Sequence, residues 1–345
     1  MPIPTCGRTK TVKSLVLFNN KGGVGKTTLT FNIAHMLARN GFRTVVLDFD
    51  PQSNVTAIFL DEDQLEDIWS TDVSDGRTVA GCLDLVRRGK GDLREPVLVA
   101  AADNLSLLPG SLFLSRFEQT LAEEWAKTGS TTNERALDVT CSLANLAEQA
   151  ASKVGADYLL IDVGPSLGAL NRAALLSCDA VVIPVAPDLF SLQGLRNIGP
   201  TLREWRADWQ TVVKQARRRG NAALPEREFQ PLGYIVQQHL ARSDRPVSGY
   251  RKWAEQIPSE FHRFVLDEST PAAPLPVESD AYCLATLKHF ASLVPIAQAA
   301  RKPMFDLRQA DGIGGGQLLS VKRCREEFER LVDATMKRLD KATGT

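Results

Sequence analysis

Between an apolar, β-prone run and a helical pattern lies Asn20-Lys21-Gly22-Gly23-Val24-Gly25-Lys26-Thr27-Thr28, and no other stretch constrains the fold of this chain as tightly. The run before it is Leu15-Val16-Leu17-Phe18, and the helical pattern after it extends from Thr28 to Arg39. Glycines let backbone N–H groups turn inward around an anion, and a helix N-terminus adds its positive dipole end. Lys26 can then reach the β- and γ-phosphates of a nucleotide, while the Thr27 hydroxyl can hold Mg²⁺. Strand, glycine turn and helix together predict a phosphate-binding loop. The usual pattern begins with glycine, whereas here position 20 is Asn and position 21 is a second lysine.

Around this loop, short strands alternate with helices, which predicts an α/β fold with a mostly parallel twisted sheet and helices on both faces. Strands are expected at Ser14 to Asn19, Thr44 to Leu47, Asn104 to Leu108, Tyr158 to Asp162, Ala180 to Val185 and Pro231 to Gln237. Helices are expected at Glu134 to Val154, at Leu318 to Lys341, and from Leu189 to Arg218 with a break at Gly194, Gly199 and Pro200. Asp61 to Gly76 and Ser269 to Pro276 read as loops.

The 345 residues are 43% hydrophobic with 41 basic and 41 acidic side chains, so no global field marks a nucleic-acid binder. The halves differ: residues 1–200 carry 18 basic and 23 acidic side chains, residues 201–345 carry 23 and 18. The excess of basic side chains therefore points to the second half for a polyanion-facing surface. Six scattered cysteines without a C-x-x-C pair read as reduced thiols of a cytoplasmic protein. His35, His239, His262 and His289 lack metal-ligand spacing and read as structural. No apolar run approaches the roughly 20 residues of a membrane span. Residues 1–12 lack the apolar core of a secretory signal and read as a short leader.

Lys21-Gly22-Gly23-Val24-Gly25-Lys26-Thr27-Thr28 resembles the deviant Walker A motif of the ParA/MinD superfamily of P-loop ATPases. Val45-Val46-Leu47-Asp48-Phe49-Asp50-Pro51-Gln52 resembles that family's second core strand. Tyr158 to Gly168, with Asp162-Val163-Gly164-Pro165-Ser166, resembles its Walker B strand and turn, and Val181 to Asp188 with Ser191-Leu192-Gln193-Gly194-Leu195 resembles the next strand and helix. The likeness runs from about Val12 to Trp205 and favours ParA (Soj-like) over MinD. It implies a single P-loop ATPase domain over 13–341, with a divergent segment around 206–290.

Site residues follow partly from the residues themselves. Asp162 closes an apolar strand, where a carboxylate needs a cation or donors; Mg²⁺ with its waters would serve, and a helix N-cap is the plainer alternative. Asp48 and Asp50 alternate along one strand end and share a face, with capping before Pro51 as the plainer reading. The resemblance implies that Asp50 positions the attacking water and that Asp48 lies near the Mg²⁺ shell. It also implies that Lys21 reaches across an ATP-sandwich homodimer to the opposite triphosphate. Gln237 and the Lys302-Pro303 step are the candidates for reading the base.

The resemblance further implies nonspecific DNA binding, with Arg217-Arg218-Arg219, Arg242, Arg245, Arg251, Lys252, Arg301 and Lys302 as candidates, and a stimulating, ParB-like partner protein. The leading expectation is thus a cytoplasmic, nucleoid-associated switch ATPase using ATP and Mg²⁺. A MinD-like membrane switch would need a bulkier basic C-terminal helix than Leu331 to Asp340. A redox or cluster-carrier relative would need cysteines soon after the Walker B strand, where Val163-Gly164-Pro165-Ser166 offers none.

Overall fold

The computed structural model describes residues 12–71, 73–128, 134–218, 224, 227–238, 247–268, 275–288, 290 and 292–344. Residues 1–11, with Cys6, and Arg219, His239, Arg242, Arg245 and His289 lie outside the described residues. Among the described residues eight strands form one sheet: β1 (Lys13–Leu17), β2 (Thr44–Asp48), β3 (Val99–Ala102), β4 (Leu105–Leu108), β5 (Tyr158–Asp162), β6 (Ala180–Val185), β7 (Gln230–Gln238) and β8 (Cys283–Lys288). Their spatial order is β3-β4-β2-β5-β1-β6-β7-β8. Of these strands β3 runs antiparallel to its neighbour β4, and the other pairs are parallel.

Central strands buried on both sides read as continuous apolar runs, and the pleat deals their side chains to two separate cores. Val16, Val45, Leu47, Leu159 and Ile161 enter one core; Leu15, Leu17, Val46, Tyr158 and Leu160 enter the other. The first core is covered by α4 (Val79–Arg88), α5 (Leu114–Trp125), α6 (Glu134–Val154), α7 (Ala169–Leu175) and α8 (Leu189–Arg218). The second is covered by α1 (Lys26–Arg39), α2 (Asn54–Phe59), α3 (Glu62–Ser70), α11 (Val294–Ala300) and α12 (Gly315–Thr343). Two short helices, α9 (Val247–Ala254) and α10 (Ile257–Glu260), lead into a π-helical turn, Phe261–Leu266, that packs on α8. Among the described residues no helix is long and apolar enough to cross a membrane.

Three expectations are corrected. Asp61 to Gly76 is not a loop: α3 occupies most of it, started by a capping box. Asp61 Oδ1 accepts from Gln64 N (2.8 Å) and Gln64 Oε1 accepts from Asp61 N (3.0 Å). Nor is α8 broken at Gly199-Pro200. Gly199 is where the Phe264 backbone comes so close that a Cβ would clash with its carbonyl, and packing carries the helix past the proline. Finally, β3 and β8 add two strands to those expected, an alanine-rich edge strand and a half-exposed one whose β signals are weak.

Candidate nucleotide site

All the parallel strands end on one edge of the sheet, and the chain turns from β1 into α1 between β5 and β6, a crevice of the kind where such sheets take ligands. Gly23 and Gly25 adopt left-handed φ of +74° and +76°, which side-chain-bearing residues rarely do. Gly25 is the N-cap of α1. Nothing would obstruct a Cβ at Gly22 or Gly23, so the loop faces open space. Val24 is buried and anchors it from beneath.

Lys26, the first residue of α1, curls back so that its Nζ donates to the Asn19 carbonyl at 3.1 Å. Only 7% of it is exposed. Burial lowers its pKa, with Asp162 and Asp50 pulling the other way. Asn19 is the loop's tether: its Nδ2 donates to Pro184 O at 2.6 Å, and its Oδ1 accepts from Lys21 N at 2.9 Å.

Three carboxylates gather on the neighbouring strand ends. Asp48 and Asp162 are paired across β2 and β5, and both are fully buried. Asp162 Oδ1 accepts from Thr30 Oγ1 at 3.3 Å, and the Thr27 side chain stands near this carboxyl. Its Oδ2 has no hydrogen-bond partner among the described residues. Burial first, and then the nearby Asp50 charge, push Asp162 up to about 7. Asp48 is pushed well above the carboxylate range by burial and by Asp162, although its oxygens are taken. Oδ1 accepts from Asp50 N (3.1 Å), and Oδ2 from Thr56 N (3.0 Å) and Thr56 Oγ1 (2.5 Å). Asp50 lies just beyond the strand, beside Gly164, where a Cβ would come within 3.0 Å of its Oδ1.

An orphaned, buried carboxyl oxygen near a threonine hydroxyl fits a hard cation that prefers oxygen ligands and would favour the ionised carboxylate. Among the described residues no three His, Cys, Asp or Glu side chains converge as a metal cage. Mg²⁺ at Asp162 and Thr27 would complete its shell with phosphate oxygens and water, its ordinary habit.

Lys21 is held within its own chain. Its Nζ meets Asp188 Oδ2 at 2.6 Å and Ser191 Oγ at 3.4 Å, with a quarter of the side chain still exposed (28%). Asp188 also caps the start of α8 through Ser191 N (2.8 Å). Although burial works against it, the Lys21 bond holds the Asp188 carboxyl below its usual range.

Gln237, at the end of β7, reaches the loop: a Cβ on Gly25 would lie 2.5 Å from its Nε2. Pro303 is buried in the turn beside α1, and the next residue, Met304, donates its N–H to Asn32 Oδ1 at 2.9 Å. The structure thus brings Lys21, Lys26, Thr27, Asp50, Asp162 and Gln237 together, with Asp48 behind them. The DNA candidates do not form one group. Arg251 pairs with Glu255 (2.8 Å), Lys302 with Asp311 (2.6 Å), and Arg301 donates to Leu60 O (3.0 Å); Arg217 and Arg218 are exposed at the end of α8. His35 is buried against Phe31 and Phe59, with its pKa lowered to about 4 by burial.

Sequence reasoning missed Thr30, Thr56, Asn19 and Asp188, which position the named residues. Only Asp188 carried a readable signal, as an Asp three residues before Ser191 at a helix start.

Comparison with known proteins places the chain by family and fold. The AAA domain family model matches residues 12–214. The chromosome-partitioning ATPase Soj of Treponema pallidum is 30% identical over 201 residues, 58% of this chain and 68% of that protein. Among curated relatives the matched stretch spans 63%, 68% and 65% of their length. The crystal structure of protein DIP2308 from Corynebacterium diphtheriae shares the fold, with a TM-score of 0.69 at 23% identity over 95% of this chain and 99% of that one. A Borrelia burgdorferi protein crystallised with AMPPNP does so with a TM-score of 0.58 at 18% identity, over 95% and 99%. The fold likeness therefore extends across the divergent second half, where the sequence match stops. On the family model and the Soj relative together, this chain belongs to the ParA/MinD family of P-loop ATPases.

Proposed function

We propose that the protein is a switch-type, Mg²⁺-dependent ATPase that dimerises around ATP. The observation that carries this reading is a pair of lysines on one phosphate loop in different circumstances. Lys26 is buried and curled over the loop, whereas Lys21 is partly exposed and stored on Asp188. A cation needed only for the chain's own nucleotide has no reason to be parked on a neighbouring carboxylate. A cation kept for a partner's triphosphate does, because exchanging Asp188 for phosphate couples nucleotide state to association.

Lys26 and the loop N–H groups hold the β- and γ-phosphates, and Thr27 with Asp162 holds Mg²⁺, which neutralises charge on the phosphates when bound. Asp50 orients the attacking water. Few covalent demands fall on the protein, so positioning and charge neutralisation carry the reaction. Intrinsic hydrolysis is slow, so the ATP state persists until a ParB-like partner stimulates it. Supporting this reading, a Borrelia burgdorferi neighbour holds AMPPNP and a Pyrococcus horikoshii MinD neighbour holds Mg-ADP.

The dimer binds DNA nonspecifically through arginines and lysines of the second half and positions or segregates DNA or another large cargo, in the cytoplasm at the nucleoid. The Soj relatives, named for chromosome partitioning, favour this over a membrane switch. So does α12, whose Leu331, Val332 and Leu339 are buried in the core rather than offered to a lipid surface.

Sedimentation velocity with ATP tests the dimer. Wild type should pair, while Lys21→Ala should stay monomeric yet bind ATP nearly as well. A Lys21→Ala protein that still pairs with ATP would overturn the reading. Binding to random duplex DNA should need ATP and weaken steeply with salt, and Arg218→Glu should weaken it further.

A further inference from the structure

At the opposite edge of the sheet from the phosphate loop, a cavity of about 330 Å³ opens between α7, the second half of α8 and the residues leading into β7. Its floor is apolar, made by Leu176, Trp209, Val213 and Phe229. Among the described residues, four cations line it, Arg206, Lys214, Arg217 and Arg227, against a single carboxylate, Glu228. Glu228 already accepts from Arg206 and from Gln210, each at 2.7 Å. Arg227 is committed to Glu148 (2.8 Å) and Asp179 (2.6 Å). Lys214 is exposed and has no ion-pair partner among the described residues.

The decisive feature lies in the wall. Trp209 is 5% exposed, and its indole Nε1 has no acceptor among the described residues. Arg206 Nε is buried and likewise without one. A third such donor is nearby: Arg172 Nε, one helical turn from Leu176 on α7, with its guanidinium 4.1 Å from the Trp125 ring. Trp125 in turn sits 6.2 Å from Trp209. Buried N–H groups without acceptors are rare and destabilising, and the two that stand in this wall, on Trp209 and Arg206, call for an acceptor from outside. The chain's own first residues are a poor source. Val12 lies at this site, its carbonyl 3.2 Å from Arg227, but residues 1–11 carry Arg8 and Lys10 and no acidic side chain.

We propose that this cavity binds a small amphipathic carboxylate. Its apolar body lies on Val213 and Phe229, its carboxylate accepts from Trp209 Nε1, and Lys214 balances the charge. The volume is at the lower end of ligand sites, enough for a two-ring molecule. This inference does not depend on the dimer or on ATP.

Titration calorimetry on the full chain with naphthalene-2-carboxylate tests it, with naphthalene-2-carboxamide as the neutral isostere. The carboxylate should bind, and the carboxamide about tenfold or more weakly. Trp209→Phe, which keeps the ring and removes the N–H, should lose about tenfold in affinity. Lys214→Gln should lose less, and Val213→Trp, which fills the floor, should bind nothing. Lys214 is exposed, so its variant tests the charge even if Trp209→Phe fails to fold. ATP binding should be unchanged in all three. No binding by wild type at millimolar carboxylate, equal binding of the carboxamide, or undiminished binding by Val213→Trp would each overturn the proposal.

Discussion

Asp162 and Asp280 are both buried carboxylates in one sheet protein, and their surroundings differ in kind. Asp280 accepts from the Tyr234 hydroxyl at 2.6 Å and the Tyr282 N–H at 3.0 Å, and it faces His262 Nε2 at 3.1 Å. His262 in turn meets Glu268 through Nδ1 at 2.8 Å. That network, where the divergent segment joins β7 and β8, is closed within the chain. Around Asp162, by contrast, one oxygen is orphaned, two more carboxylates crowd in, and the nearest cation, Lys26, bonds a carbonyl instead. A polar network that serves packing is completed by the protein itself. One left incomplete, with like charges side by side, is stable only at a cost and is set up for something that arrives later.

Removing Lys26 tests the open side most severely. A nucleotide's phosphates would lose their buried charge-assisted donor, so Lys26→Ala should weaken ATP binding by about a hundredfold or more. Equilibrium binding of a fluorescent ATP analogue measures this. Retention of wild-type affinity would mean that the lysine serves Asn19 and the fold rather than a ligand.

Asp162→Asn should act in opposite directions on the empty and the loaded protein. Asp162 titrates near pH 7 in the fold against 3.8 for the ordinary carboxyl. Between those values the folded chain keeps a proton that the unfolded chain has released, so this group makes stability fall as pH rises, to a floor above about 7. Asparagine removes the penalty. The nucleotide-free variant should gain on the order of 2 kcal/mol at pH 8 and little below pH 4. With Mg²⁺ and ATP present, the wild type should gain more stability than the variant. A variant less stable than wild type at pH 8 without ligand would mean that Asp162 is as self-sufficient as Asp280.

The same contrast explains what could be read from sequence. The open site is assembled from short contiguous stretches, each with its own chemical signature: glycines with positive φ before Lys26, an Asp closing β5, alternating Asp48 and Asp50 after an apolar strand. Local signals of that kind survive in one dimension. Thr56 reaching back to Asp48, Asn19 tying the loop to Pro184, and Asp188 holding Lys21 depend on strand neighbours far away in sequence, and no periodicity reports them. The π-helical turn, Asp280 and Tyr234 are joined only by the packing of α8, β7 and β8. There the aromatic-and-basic stretch from Tyr250 to Phe264 leaves open whether its side chains serve core or ligand. Phe261 proves fully buried, and His262 is engaged on both ring nitrogens. Gly199 misled for a related reason, since its small size serves a distant backbone rather than a helix end.

The smallest expected effect concerns the closed network. Burial alone would lower the pKa of His262, but its bonds to Asp280 and Glu268 outweigh this and raise it above 6.5. A histidine that holds its proton more tightly when folded adds stability in full below about pH 6.5, and that contribution is lost as pH rises through the raised folded value. His262→Gln keeps a donor but no charge. Urea unfolding should therefore show it about 1–2 kcal/mol less stable than wild type at pH 6, with the gap narrowing by pH 9. ATP affinity should be unaffected at either pH, because the network does not touch the phosphate loop. A deficit that is the same at both pH values would show that the imidazole acts by shape alone, through its edge-on packing against Tyr282 (5.3 Å between ring centres), with no charge to lose.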